Sequence, residues 1–200
     1  MIKNLIFDFG KVLVDYDYEG FFQQYIHDKQ IYDNLLQTFA AENWQEEFDL
    51  EINPMADILQ QKMELHPEFA NEIQYMGEHY LELVTGEIEG MRELMQRLKA
   101  EGFRLFGLSN WCQHVKITMQ QYPIFKLLEG SIISSDIHIT KPSAAIYQTL
   151  LNRFGLKAEE CIFTDDKAPN IAAGEQLGIR GIVFQNAAQY ERDLRILLTK

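Results

Sequence analysis

Leu5-Ile6-Phe7-Asp8-Phe9-Gly10 is a short apolar run that stops on an acid, with a glycine two residues later. Consecutive apolar residues without polar alternation suit a strand covered on both faces, the condition of a parallel sheet. On that reading Asp8 stands at the strand's carboxyl end, where the chain opens into a loop. Three later segments repeat the pattern: 103–108 runs into Ser109-Asn110, 161–164 into Asp165-Asp166, and 181–184 into Gln185-Asn186. Ile132-Ile133 makes another short strand before Ser134-Ser135-Asp136. Helical periodicity fills the gaps. Met91–Ala100 places Leu94, Met95 and Leu98 on one face, Ala144–Phe154 groups Ile146, Tyr147 and Leu150, and 170–177 forms a third helix. Gly102, Gly155 and Gly178 follow as stop signals. Strands alternating with helices of this length predict an α/β fold, a doubly wound parallel sheet with right-handed crossovers. Such sheets bind ligands beyond the carboxyl ends of their strands, where all these polar clusters fall.

Residues 18–85 read differently. They carry no convincing strand but several amphipathic stretches, over 20–28, 34–41, 55–64 and 68–84, with Pro54 and Pro67 near helix starts. Aromatic residues are frequent there and suit a core of the insert's own. The expected organisation is a core domain of residues 1–17 and 86–200, with a smaller all-α cap domain over 18–85.

A net charge of −12 lacks the basic footprint that a nucleic acid or an anionic membrane surface requires. Cys112 and Cys161 match neither a disulfide framework nor a zinc site by spacing. No secretory leader pattern opens the chain and no apolar run has the length of a membrane span, so the expectation is a soluble, cytoplasmic protein. Oligomeric state is not legible.

An aspartate after a strand is often only a turn residue. Asp8 gains weight because Ser109-Asn110, Lys141-Pro142 and Asp165-Asp166 end or follow other strands in that order. Here the chain resembles the haloacid dehalogenase-like hydrolase superfamily. Residues 7–13 look like its first motif, Leu108-Ser109-Asn110 its second, Lys141-Pro142 its third and Phe163-Thr164-Asp165-Asp166 its acidic fourth, while 18–85 matches the position of its helical cap.

The resemblance implies a phosphatase acting through an aspartyl-phosphate. A phosphate monoester is an anion, so a carboxylate reaches its phosphorus only when negative charge is neutralised. Mg²⁺ is the implied cofactor, held by Asp8, the Gly10 carbonyl and Asp166. Lys141 adds positive charge beside the transferring oxygens, and Ser109 and Asn110 hold the phosphate. Asp8 is the nucleophile, and Asp165 orients Lys141 or a metal-bound water. The implied partner is a small phosphorylated metabolite, with a sugar phosphate one option.

Gly10 departs from the usual pattern, in which a second aspartate two residues after the nucleophile serves as general acid and base. Stretch 8–17 resembles a bacterial subgroup that includes glucose-1-phosphate phosphatase and tolerates glycine there. An easy leaving group, or a substitute acid such as Asp15 or a metal-bound water, would then make up the loss. Of Asp15 and Asp17, one is expected to cap the first insert helix. Trp44 and Glu47 are within imaginable reach of a substrate, although a structural role suits them better.

Two alternatives remain at this stage. A metal-independent haloacid dehalogenase-type hydrolase also attacks with an aspartate, but such enzymes lack an acidic pair in the fourth motif. A catalytically weak binding protein of the same superfamily is compatible with Gly10. A phospho-aspartate receiver is disfavoured by motif order, and the kinase-like Asp8-Phe9-Gly10 has no accompanying kinase motifs.

Overall fold

The computed structural model describes residues 1–199. The chain runs through β1 (Asn4–Phe7), β2 (Val14–Tyr16), α1 (Tyr18–Tyr25), α2 (Lys29–Ala41), α3 (Trp44–Leu50), α4 (Met55–Leu65), α5 (Ala70–His79) and β3 (Val84–Glu87). It continues through α6 (Met91–Ala100), β4 (Arg104–Ser109), α7 (Val115–Gln121), β5 (Gly130–Ile133), α8 (Ser134–Ile137) and α9 (Ala144–Phe154). The last elements are β6 (Cys161–Asp165), α10 (Ala168–Glu175), β7 (Arg180–Val183) and α11 (Ala187–Leu198).

Five strands pair in parallel in the order β5-β4-β1-β6-β7. The fold is the expected α/β arrangement, and its side-chain alternation explains why neither sheet face is polar. Leu5, Phe7, Leu105 and Ile162 join one apolar layer with α6 and α11, whereas Ile6, Phe106, Leu108 and Phe163 join the other with α9 and α10. All four residues of β1 are buried, as the unbroken run Leu5-Ile6-Phe7 requires. Register sets the site: Phe7 lies opposite Gly107 on one side and Thr164 on the other. The Asp8 amide then donates to the Thr164 carbonyl (2.9 Å), carrying the ladder one residue further and bringing Asp8 level with the end of β6. Gly107 permits this packing, because a Cβ there would lie 2.4 Å from Cε1 of the Phe9 ring.

The five insert helices share an apolar cluster with the first sheet face. Phe22, Leu35, Trp44, Phe48, Ile58 and Met76 are buried in the same continuous set as Leu5 and Phe7. Burying each large apolar side chain stabilises the fold by about 1.5–3 kcal/mol. Trp44 is therefore a packing residue, with Lys62 lying over its ring and paired to Glu47 at 2.6 Å. Asp17 caps α1 by accepting from the Gly20 amide at 2.9 Å. No helix of the described residues is long and apolar enough to cross a membrane.

The structure corrects the reading of 68–84 as one helix. A 3₁₀ turn at Pro67–Phe69 precedes α5, a second at Tyr80–Leu83 ends it, and β3 starts at Val84. β3 pairs antiparallel with β2, so a cross-strand partner and the β-branched pair Val84-Thr85 outweigh helical periodicity. Helix α3 was not expected. It has only seven residues and lies between two residues of positive φ, Asn43 and Glu51, too short for a periodic signal. Helix α11 was also missed, since Asn186, read as following a strand, caps it by accepting from the Gln189 amide (2.9 Å).

Candidate active site

Strand ends β1 and β6 bring Asp8, Asp165 and Asp166 together, with carboxylate oxygens within 4.8 Å of one another. Lys141 reaches the same point from the segment after α8. Its side chain is 1% exposed, and Nζ lies 2.8 Å from Asp8 Oδ1 and 2.7 Å from Asp165 Oδ2. Nζ also donates to the Leu108 carbonyl at 2.9 Å, so one ammonium meets three acceptors from three strands. Burial holds the Asp8 carboxyl well above its usual range, up to about 7, against the opposing charge of Lys141 and with a further push from Asp165. Burial and Asp165 raise Asp166 as well. Lys141 is raised because Asp8 and Asp165 outweigh its desolvation. One lysine does not balance three acids at this spacing, so the pocket favours an added cation. An all-oxygen set of this kind suits a hard divalent ion.

The two acids of the β6 motif differ in setting. Asp165 is fully buried and saturated: besides Lys141, it accepts from the Lys167 amide (2.8 Å) and the Asn170 side chain (3.0 Å). Asp166 is half-buried and lines the cavity. Ser109 at the end of β4 has a buried hydroxyl without a hydrogen-bond partner among the described residues, an unusual state for an interior polar atom. The Asn110 side chain is already occupied, accepting from the Lys141 amide (2.7 Å) and donating to the Lys141 carbonyl (3.0 Å). It thus fixes the loop that carries Lys141, although Asn110 also borders the cavity.

Gly10 lines the cavity, and the space a side chain would take there is filled. A Cβ on Gly10 would meet Cε1 of Tyr16 at 2.7 Å. That ring is held edge-on by Tyr18 and Trp111, so it is not free to swing aside. We therefore expect Gly10→Asp alone to destabilise the protein by about 1–3 kcal/mol without raising its rate. Pairing it with Tyr16→Ala relieves the clash, and denaturant midpoints of the single and double variants check this. Asp15 is turned to Lys11, 2.5 Å from its Nζ, and does not line the cavity, so it is not positioned as a substitute acid.

The cavity has a volume of about 460 Å³ and is roofed by the insert. Its lining includes the aromatic residues Tyr16, Tyr18, Phe39 and Trp111, and its polar contributors from the insert include Glu19, Asn43, Gln45 and Asp49. Sequence reasoning missed Tyr16, Asp49 and Asn170. The only signal for Asp49 was its spacing of four from Gln45 on a helix too short to recognise.

Over the whole chain, a D-ribitol-5-phosphate phosphatase of Bacteroides thetaiotaomicron is 24% identical, with 99% of each chain covered. A chloroplast flavin mononucleotide hydrolase of Arabidopsis thaliana is 27% identical over 54% of this chain, which spans 44% of that relative's length. Among solved structures, a haloacid dehalogenase family enzyme of B. thetaiotaomicron in complex with magnesium and inorganic phosphate superposes with a TM-score of 0.76. It is 18% identical, covering 94% of this chain and 96% of its own. A hydrolase of this fold from Porphyromonas gingivalis gives 0.72 at 19% identity, covering 100% and 99%. The haloacid dehalogenase-like hydrolase family model matches residues 5–184, so the whole of the site described above falls inside it, and the chain belongs to that family of enzymes.

Proposed function

We propose that this protein is a Mg²⁺-dependent phosphomonoester hydrolase that passes the phosphoryl group through Asp8, acting on a small phosphorylated metabolite of the sugar or polyol class. The observation that carries the reading is the three-acid cluster closed around buried Lys141. An acid set that gathers a cation suits a phosphate ester, whose attacked centre is itself surrounded by negative oxygens, whereas dehalogenation attacks a carbon that bears no charge for a metal to neutralise. The names of the two relatives, one a phosphatase of a polyol phosphate and one a hydrolase of a flavin phosphate, agree with it. So does the neighbour solved with magnesium and phosphate.

Asp8, Asp166 and the Gly10 carbonyl would hold the metal, which when bound neutralises phosphate charge and orients the ester. Asp8 attacks phosphorus, and Lys141 holds positive charge next to the oxygens that gain it. Asp165 positions Lys141 through its 2.7 Å contact, its other valences being taken by Asn170 and the Lys167 amide. Ser109 offers its unpaired hydroxyl to a phosphate oxygen. Residues 18–85 act as a cap that encloses the reaction, set on a core of 1–17 and 86–200. The Asn110 side chain holds the Lys141 loop rather than the substrate.

Assay against sugar, polyol, nucleotide and acyl phosphates tests the reading: turnover is expected with Mg²⁺ and its loss with EDTA. Haloacid turnover that survives EDTA would overturn it. Metal affinity should also depend on acidity. Metal-free Asp8 has its proton until about pH 7, and the ion must displace that proton. Mg²⁺ binding is thus expected to weaken about ten-fold per pH unit below 7, down toward the ordinary carboxylate range, and to level off above 7. Calorimetric titration at pH 6 and pH 8 measures both the affinity and the released proton.

A further inference from the structure

Gly10 offers no side chain to move a proton, and Tyr16 fills the space where one would stand. We propose that Asp49, on insert helix α3, is the catalytic acid and base of this site. The assignment rests on the phosphomonoesterase reading above.

Asp49 is 7% exposed and lines the same cavity as Asp8, Lys141 and Asp166. Its Oδ1 accepts from Gln45 Nε2 at 2.9 Å, and its Oδ2 has no hydrogen-bond partner among the described residues. A largely buried carboxyl whose second oxygen opens onto a cavity, without a partner among the described residues, is placed to meet a ligand there. Its position is set by the core and not by a loose cap tip. The Ser134 hydroxyl donates to the Asp49 carbonyl (2.5 Å), His138 Nδ1 lies 2.8 Å from the Leu50 carbonyl, and the Gln113 amide donates to Glu51 (2.5 Å). All three anchors follow β4 or β5, at the carboxyl end of the sheet.

The other acids of the cavity are excluded by their surroundings. Asp8 and Asp166 are the residues that would hold the metal, and Asp165 is saturated from within. Glu19 is exposed, where a proton passes to solvent as readily as to substrate. Burial pushes the Asp49 carboxyl up to about 6, opposed by Gln45, Lys167 and Lys141 and helped by Glu46. Tyr16, Tyr18, Tyr80 and Cys112 complete the titratable groups that sense its charge. An acid with that affinity exists in both proton states near neutrality, as a group that must give and retake a proton should.

The step balances as follows. Asp8 forms a bond to phosphorus as the bond from phosphorus to the ester oxygen breaks, and that oxygen takes the proton of Asp49. Asp49, now a carboxylate, then removes a proton from the water that attacks the aspartyl-phosphate. Inorganic phosphate leaves, with Asp8 free and Asp49 reprotonated.

The isosteric variant Asp49→Asn tests this with two Mg²⁺-supported substrates, a polyol phosphate and p-nitrophenyl phosphate. The alkyl ester needs a proton on its leaving oxygen, whereas p-nitrophenolate departs as the anion. The expected result is a fall in kcat/KM of about 10²–10⁴-fold on the alkyl ester, and a fall at least about ten-fold smaller on the aryl ester. Because the water step has also lost its base, the aryl ester should give a burst of one p-nitrophenolate per protein before slow turnover. Asp49→Glu, which keeps an acid on a longer arm, should recover part of the alkyl rate. Equal losses of kcat/KM on both esters would mean a merely structural role and overturn the proposal, as would no loss on either. A wild-type protein inert to both esters would instead overturn the phosphomonoesterase reading, and this assignment with it.

Discussion

Replacing Asp8 with asparagine is expected to lower phosphomonoester turnover by about 10⁴–10⁶-fold, the scale on which removal of a covalent nucleophile acts. An amide has no charged oxygen to offer phosphorus, and no neighbouring acid is placed to take over, since Asp165 is saturated. The variant should fold. Indeed, without metal it should be the more stable protein at pH 8, because the Asp8 carboxylate is an ion that its buried site disfavours. The sign follows from linkage: a carboxyl raised from its ordinary value to about 7 contributes stability below pH 4 and loses it as pH rises through 7. Thermal midpoints of wild type and Asp8→Asn should therefore agree near pH 4 and separate by pH 8, with Mg²⁺ narrowing the gap by stabilising only the wild type. A variant that turned over at wild-type rate would exclude Asp8 as the nucleophile.

Lys141 should show the largest effect on stability. Its ammonium is enclosed by Asp8, Asp165 and the Leu108 carbonyl at 2.7–2.9 Å. Lys141→Met keeps the stem but leaves two buried acids facing each other, a loss of about 3–5 kcal/mol, together with activity. Lys141→Arg is the sharper comparison. Three donors on one tetrahedral nitrogen match three acceptors around a point, and a planar guanidinium is too wide for that space. We expect it to fold with reduced stability and to lose at least about 10²-fold in rate, since the positive charge is displaced from the transferring oxygens. Denaturant unfolding reports the first quantity and steady-state assay the second. Wild-type activity in Lys141→Arg would show that charge alone, without its placement, suffices.

Asp8 and Asp165-Asp166 were legible because each directly ends a short apolar strand and a parallel sheet gathers such ends at one edge, whereas Lys141, beyond α8, was legible only by its order among the motifs. The helices Met91–Ala100 and Ala144–Phe154 were legible to the residue, since each carries a full apolar face and meets a glycine. What escaped depends on contacts between segments. Tyr16 lies over Gly10 because the chain doubles back at once, the Lys11 amide donating to the Val14 carbonyl (2.8 Å), and the residue of positive φ in that turn is Lys11, which carries no turn signal. Asn110 reads as a ligand for phosphate through its backbone or side-chain N–H, and nothing in the sequence tells that its side chain clasps the backbone of Lys141, 31 residues away. Asp49 sits between Phe48 and Leu50 in a seven-residue helix among Glu46, Glu47 and Glu51, where one acid of several stands out only once the cavity is seen.

The paired strands β2 and β3 have a mechanical consequence. The chain leaves the core through one and returns through the other, and the Asp17 amide bonds to the Leu83 carbonyl where they adjoin (3.0 Å). Both covalent links to the roof thus run side by side, like the knuckles of a hinge, while the foot of α3 is latched to the loops after β4 and β5. Were the roof to turn on that hinge, the latch would have to unfasten, and Asp49 would leave the chamber with α3. On the role proposed for Asp49, such a form would leave an ester bond uncut.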